Sequence, residues 1–154
     1  MSTDTAQQNL TEYVTAMIGG QLFGLPIVHV QDVFIPERLT RVPLAPPEIA
    51  GVLNLRGRIV TLIDLRRRFG LGERTNDDAA MAIGVESRGE SYGLLIDSMG
   101  EVLKLDEAAR EPNPINLDRW LARVSAGIHR LDGQLLIVVD VERVLDTDAN
   151  TMAA

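Results

Sequence analysis

Gly51-Val-Leu-Asn-Leu-Arg-Gly57-Arg-Ile-Val-Thr-Leu-Ile-Asp64-Leu-Arg-Arg67 is matched without a gap by Gly127-Ile-His-Arg-Leu-Asp-Gly133-Gln-Leu-Leu-Ile-Val-Val-Asp140-Val-Glu-Arg143. Gly51 and Gly127, Leu55 and Leu131, Gly57 and Gly133, Asp64 and Asp140, and Arg67 and Arg143 coincide. Each copy reads as a strand, a two-residue turn, a β-branched strand, an aspartate and a short helix. An aspartate at that position is expected to cap the helix by accepting its first free N–H groups. Gly57 and Gly133 are the expected structural turn residues.

Outward from this stretch the repeat continues. Gly20-Gln-Leu-Phe-Gly24 pairs with Gly89-Glu-Ser-Tyr-Gly93, and Asp32-Val33 pairs with Glu101-Val102. The offset is 69 in the early part (89 − 20) and 76 in the later part (127 − 51), so the second copy carries seven more residues in its middle connection. A unit of this size buries too little apolar surface to stand alone comfortably. Two related units sharing an apolar face are therefore expected: a mainly β chain of two small barrels related by an approximate twofold, with short peripheral helices. The expected boundaries are a first barrel near 12–74, a polar linker at 75–80, a second barrel near 80–146, and flexible ends at 1–11 and 147–154. Exchange of strands between the halves is left open. The expected strands include 13–18, 21–25, most of 27–34, 58–63, 81–86, 91–97, 102–104 and 134–139. Helical turns are expected at 47–52 and at 116–124, the latter capped by Asn116.

Composition narrows the function. The 154 residues are 45% hydrophobic and carry a net charge of −7, with no cysteine. That excludes wholesale disorder, a disulfide framework, a thiolate metal site and a cysteine nucleophile. No apolar run approaches the roughly 20 residues of a membrane helix, so a cytoplasmic protein without membrane insertion is expected. The charge is uneven: residues 36–74 hold eight arginines against four acids, and everything after them holds fifteen acids against seven bases. A basic centre inside an acidic whole speaks against nucleic acid and for a protein partner with acidic features, which arginine engages bidentately.

No metal, cofactor or catalytic set is expected. His29 and His129 each lack a second ligand at metal spacing. Neither a nucleophile elbow nor a phosphate-binding glycine loop occurs. Asp64 at a strand end invites comparison with a phosphoacceptor aspartate, but Asp140 ends the equivalent strand and no acidic pair or late lysine accompanies it. Arg56 stands out. It occupies the first turn position, where the other copy has Asp132 and where Asp-Gly or Asn-Gly is ordinary chemistry.

The stretch from Gly51 to Gly70 resembles the central signature of the CheW family of chemotaxis coupling proteins. Phe23-Gly-Leu-Pro-Ile-Val-His-Val-Gln-Asp-Val33, Tyr92-Gly-Leu-Leu-Ile-Asp-Ser-Met-Gly-Glu-Val102 and the segment 127–145 resemble its other three blocks. The resemblance implies two SH3-like five-stranded barrels and no enzymatic activity. It also implies a role linking the cytoplasmic tip of methyl-accepting chemotaxis receptors to the regulatory domain of a CheA-type histidine kinase. Carried over, Arg56 matches the arginine linked to receptor coupling, and Val30, Asp32 and Val33 match the strand bordering the receptor groove. Asp32 is shorter than the glutamate often found there, and Thr61 stands where proline is common. A coupling protein of another chemosensory system, serving surface motility or second-messenger control, carries the same residues; a phosphoacceptor domain using Asp64 is the reading from a different class.

Overall fold

The computed structural model describes residues 9–37, 39–72 and 81–146. Residues 1–8 and 147–154, where flexible ends are expected, and the linker 75–80 lie outside the described residues. Ten strands form two five-stranded sheets. They are β1 (Leu10–Ile18), β2 (Gln21–Pro26), β3 (Asp32–Phe34), β4 (Ile49–Leu55), β5 (Arg58–Asp64), β6 (Met81–Ser87), β7 (Glu90–Ile96), β8 (Ser98–Asp106), β9 (Ser125–Leu131) and β10 (Gln134–Val139). Three short helices accompany them: α1 (Leu65–Arg68), α2 (Arg119–Val124) and α3 (Val141–Leu145).

The strand orders are β8-β1-β2-β10-β9 and β3-β6-β7-β5-β4. They become the same order when each strand is replaced by its repeat partner, so the twofold of the sequence is a twofold of the topology. The sheets do not follow the halves 12–74 and 80–146, however. The hairpin β1–β2 of the first copy sits beside β8, β9 and β10 of the second; the hairpin β6–β7 of the second sits beside β3, β4 and β5 of the first. Each transplanted hairpin is held on one side by an antiparallel pairing, β1 with β8 or β6 with β3, and on the other by a parallel one. In barrel I, β10 pairs with β2 through Ile137 opposite Phe23. In barrel II, β5 pairs with β7 through Leu62 opposite Gly93.

Each sheet closes through the chain that follows its edge strand. Thr40 and Val52 exchange two backbone hydrogen bonds of 2.8 Å, joining the continuation of β3 to β4. Glu111 and Ile128 do the same at 2.8 and 2.9 Å, joining the continuation of β8 to β9. The repeated glycines sit beside these closures. Gly51 has φ of 153° and a Cβ there would lie 2.5 Å from the Thr40 carbonyl; Gly127 has φ of 131° and a Cβ there would lie 2.8 Å from the Glu111 carbonyl. Any side chain would push the closing segment away.

Period-two alternation distributes the apolar side chains over three clusters. Leu53, Val60, Leu62, Ala82 and Leu95 fill barrel II, and Tyr13, Leu136 and Val138 fill barrel I. The largest cluster lies between the sheets and draws on both: Phe23 and Leu25 from β2, Ile63 from β5, Ile83 from β6, Leu94 from β7 and Val139 from β10. Phe69, just past α1, packs its ring 4.9 Å from that of Phe23 across this seam.

Four local expectations are corrected. Residues Ile27–His29 form a 3-10 turn rather than extended chain, following the fixed φ of Pro26. Residues 47–52 hold no helix; β4 begins at Ile49 because its backbone pairs with Ile63, with a bulge between Ile49 and Gly51. Helix α2 is capped by Asp118, whose carboxylate accepts from the Trp120 N–H at 2.8 Å, because 114–117 is taken up by a turn in which Leu117 N–H donates to the Pro114 carbonyl. Strand β8 is also much longer than 102–104, since it lies along nearly all of β1.

One buried polar cluster is expected to make barrel I sensitive to acid. The His129 ring stands edge-on to Tyr13 at 5.8 Å, and its Nε2 is buried and unpartnered. The Tyr13 hydroxyl donates to Glu107 at 2.6 Å, and Arg110 lies 3.5 Å from the same carboxylate. Burial holds the His129 pKa below its ordinary value, with Arg110 adding to the effect while Glu107 opposes it. The Glu107 carboxyl is desolvated, yet hydrogen bonds from Tyr13 and Thr11 and the nearby Arg110 bring it below the usual range. A depressed histidine pKa means the unfolded chain binds the proton better, so stability falls as pH drops through about 6.5. Thermal melts between pH 8 and pH 5 are expected to show this decline. His129→Leu is expected to flatten it while leaving the further loss near pH 4 that comes from Glu107.

Candidate protein-docking site

The hairpin linking β4 and β5 raises Arg56 at its tip. Arg56 and Gly57 both take positive φ, 53° and 84°, as a two-residue turn matching the strand twist requires. The Asn54 side chain steadies the turn by accepting the Gly57 N–H at 2.9 Å. Arg56 lies 4.0 Å from Asp32, with the two side chains 83% and 37% exposed. That contact is loose and wet, so the guanidinium is presented outward rather than used in the fold.

Strand β3 runs beside β6, with Asp32 opposite Gly84 and Val33 opposite Ile83. Gln31 donates to Glu86 at 3.0 Å at this same end of barrel II. Because β5 and β7 are parallel, the turn before β7 lies at this end too, and it is also Arg-Gly: Arg88 has φ of 53°. Asp32, Arg56 and Arg88 thus share one end of the barrel. Arg88 was not singled out from sequence because its repeat partner is Gly19, an ordinary turn residue; the signal was a second Arg-Gly pair.

Val30 and Val33 are half-buried and pack against the core between the sheets. The more exposed apolar surface nearby is Val28 at 84%, Ile35 at 69% and Ile59 at 64%. An open groove of about 710 Å³, floored by Phe34, Val52 and Leu55, runs between Ile35 and Ile59. Alternation along β5 does not mark Ile59 as exposed. It lies opposite Asn54 at the open end of a face of β5 that further along carries Thr61 and the fully buried Ile63, so its exposure comes from its place near the turn.

The aspartates and arginines around α1 have structural partners. Asp64 is buried and accepts the Arg66 N–H at 3.0 Å; Asp140 accepts the Arg143 N–H at 3.2 Å. Arg66 makes a fork to Asp97, with Nε 2.9 Å from one oxygen and an Nη 2.8 Å from the other. Asp97 also accepts the Gly19 N–H at 2.8 Å, so one carboxylate ties α1 to the β1–β2 turn. Arg68 donates to the carbonyls of Val144 and Arg143 at 3.1 and 2.8 Å, capping α3 from the other half of the chain. Among the described residues no group of three His, Asp or Glu side chains is placed to hold a metal ion, and no helix is long and apolar enough to cross a membrane.

Paired SH3-type barrels with a guanidinium raised on one hairpin and an apolar groove beside it define a protein-docking module. Residues 12–149 match the family model described as a CheW-like domain. The chain is 29% identical over 142 residues to the chemotaxis protein CheW of Helicobacter pylori, covering 92% of this chain and 85% of that protein. It is 28% identical over 140 residues to the one from Bacillus subtilis, covering 91% and 90%. The crystal structure of the scaffolding protein TtCheW from Thermoanaerobacter tengcongensis matches with a TM-score of 0.80 at 31% identity, over 90% of both chains. The chain belongs to the CheW family of chemotaxis coupling proteins.

Proposed function

We propose that this protein is a non-enzymatic adaptor that couples the cytoplasmic tips of chemoreceptors to the regulatory domain of a CheA-type histidine kinase, and that it is recruited to membrane-bound receptor arrays from the cytoplasm. The observation that carries the proposal is the exposed Arg56 turn beside an apolar groove on a scaffold related throughout to chemotaxis coupling proteins. A receptor tip is a helical hairpin. Such a helix lays apolar side chains into a groove and sets carboxylates against a rim arginine. In this reading Arg56 is the charged anchor and Asp32 its rim partner. Val30 and Val33 shape the groove wall from behind through their contact with the core. The closed barrel ends serve pairing with the related barrels of the kinase, and many modest contacts gain strength by multivalency. The buried, hydrogen-bonded Asp64 acts as a helix cap rather than a phosphoacceptor.

Reconstitution tests this. Mixing receptor cytoplasmic fragments, kinase and this protein is expected to give a ternary complex and a change in kinase autophosphorylation that neither pair alone gives. Unchanged complex formation and activity on adding the protein would overturn the proposal.

A further inference from the structure

Both hairpin turns at one end of barrel II begin with arginine: Arg56-Gly57 between β4 and β5, and Arg88-Gly89 between β6 and β7. The corresponding turns of barrel I are Gly19-Gly20 and Asp132-Gly133, which carry no arginine. Arg56 and Arg88 share a φ of 53°, and Leu44 is the one other non-glycine residue with positive φ among those described. Glycine, asparagine or aspartate takes that left-handed position at less cost, so local structure does not ask for arginine at either turn. Both arginines are exposed. Two departures of the same kind at one end of one barrel point to a shared use.

Their spacing is fixed by the sheet. Strands β5 and β7 are parallel neighbours in the order β6-β7-β5-β4, so the two turns stand two strand spacings apart, about 10 Å. Val60 lies opposite Ser91, an offset of 31 (91 − 60), while the arginines differ by 32 (88 − 56), so the tips are level to within one residue. The Arg58 guanidinium donates to the Ser91 hydroxyl at 3.2 Å and ties β5 to β7 behind the tips. Asp32, Glu86 and Glu90 stand at this end with the three arginines, so the surface has no cationic excess. Recognition here rests on where two guanidinium groups are held.

We propose that Arg88 is a second carboxylate anchor for the receptor helix, and that Arg56 and Arg88 together select a helix with acidic residues seven apart on one face. The proposal deepens the receptor-coupling role and rests on it. An α-helix rises about 1.5 Å per residue, so positions i and i+7 lie about 10.5 Å apart and, after nearly two turns, face the same way. That span matches the two tips. Acids three or four residues apart are separated by only about 5–6 Å, which serves one guanidinium fork and leaves the other empty.

Arg88→Gly installs the residue that the repeat already carries at Gly19 and suits the left-handed position. Its thermal midpoint is expected to stay close to that of the parent chain, and Arg88→Asn is expected to behave alike. Affinity for a chemoreceptor cytoplasmic fragment is expected to fall about fivefold in both variants. Glu→Gln and Asp→Asn changes along the fragment then locate each contact by double-mutant cycles. The acid coupled to Arg88 is expected seven residues from the acid coupled to Arg56, on the same helix. Unchanged affinity in the Arg88 variants, with Arg56→Glu still weakening binding, overturns the second anchor alone. Unchanged affinity in all three overturns the receptor-coupling role with it. Coupling of both arginines to one acid, to acids at another spacing, or to none overturns the proposal as well.

Discussion

Arg56→Glu is expected to lower the affinity for a receptor cytoplasmic fragment by at least about tenfold while leaving the thermal midpoint unchanged. The second half of that expectation follows from geometry. The side chain is 83% exposed and its nearest acid is 4.0 Å away, so its share of folding stability is that of a surface ion pair, about 0–1 kcal/mol. The positive φ of 53° burdens glutamate as it burdens arginine. The first half follows from charge: reversal beside Asp32 turns a site that attracts carboxylates into one that repels them. Binding by calorimetry and melting by circular dichroism separate the two effects. A collapse of the transition would assign Arg56 to structure, and retained binding would remove it from the receptor contact.

Phe69→Ala is expected to have the largest effect on stability. The ring is fully buried between the sheets and tilted against Phe23 at 4.9 Å. Removing such a ring costs about 3–5 kcal/mol, because the flanking sheets cannot collapse into the space. For a domain whose total stability is on the order of 5–15 kcal/mol, this lowers the midpoint by roughly 10 °C. The loss is expected as one cooperative transition reporting from both barrels, since the cluster belongs to neither alone. Leu44→Ala is the control; Leu44 is fully exposed in the connection between β3 and β4, and its removal is expected to change little. Two separate transitions in Phe69→Ala would mean the barrels hold together on their own.

The mainly β class and the pair of five-stranded barrels were legible because the copy beginning at Gly51 recurs at Gly127, with strand alternation and turn glycines in register. What the repeat does not encode is which copy of a hairpin completes which sheet. Both hairpins present the same pattern to the same type of edge, and parallel pairing such as Ile137 with Phe23 is set by packing between distant segments. Arg56 was readable as a departure from turn chemistry. The burial of Val30 and Val33 was not, because β-branched residues in and just before a short edge strand look alike whether they face a groove or the core behind it. Exposure of Ile35 and Ile59 likewise depends on the open space between β3 and β4. The arginines of α1 show the same limit: their spacing spreads them around one turn, but only the fold brings Asp97 to Arg66 and the α3 carbonyls to Arg68.

The placement of β1 and β2 beside β10 sets the order in which a growing chain can finish. On the ribosome the first hairpin emerges more than a hundred residues before Gln134–Val139, the strand it must lie against. Barrel II, built from Asp32 to Ile96, has all its strands in hand much earlier, yet its face toward β2 and β10 stays uncovered until β10 has emerged. The opening strands therefore wait, with apolar residues exposed, for the last ones to arrive. Nascent chains arrested before residue 134 are expected to depend most on chaperones, and arrival of β10 completes barrel I and covers the shared face of barrel II.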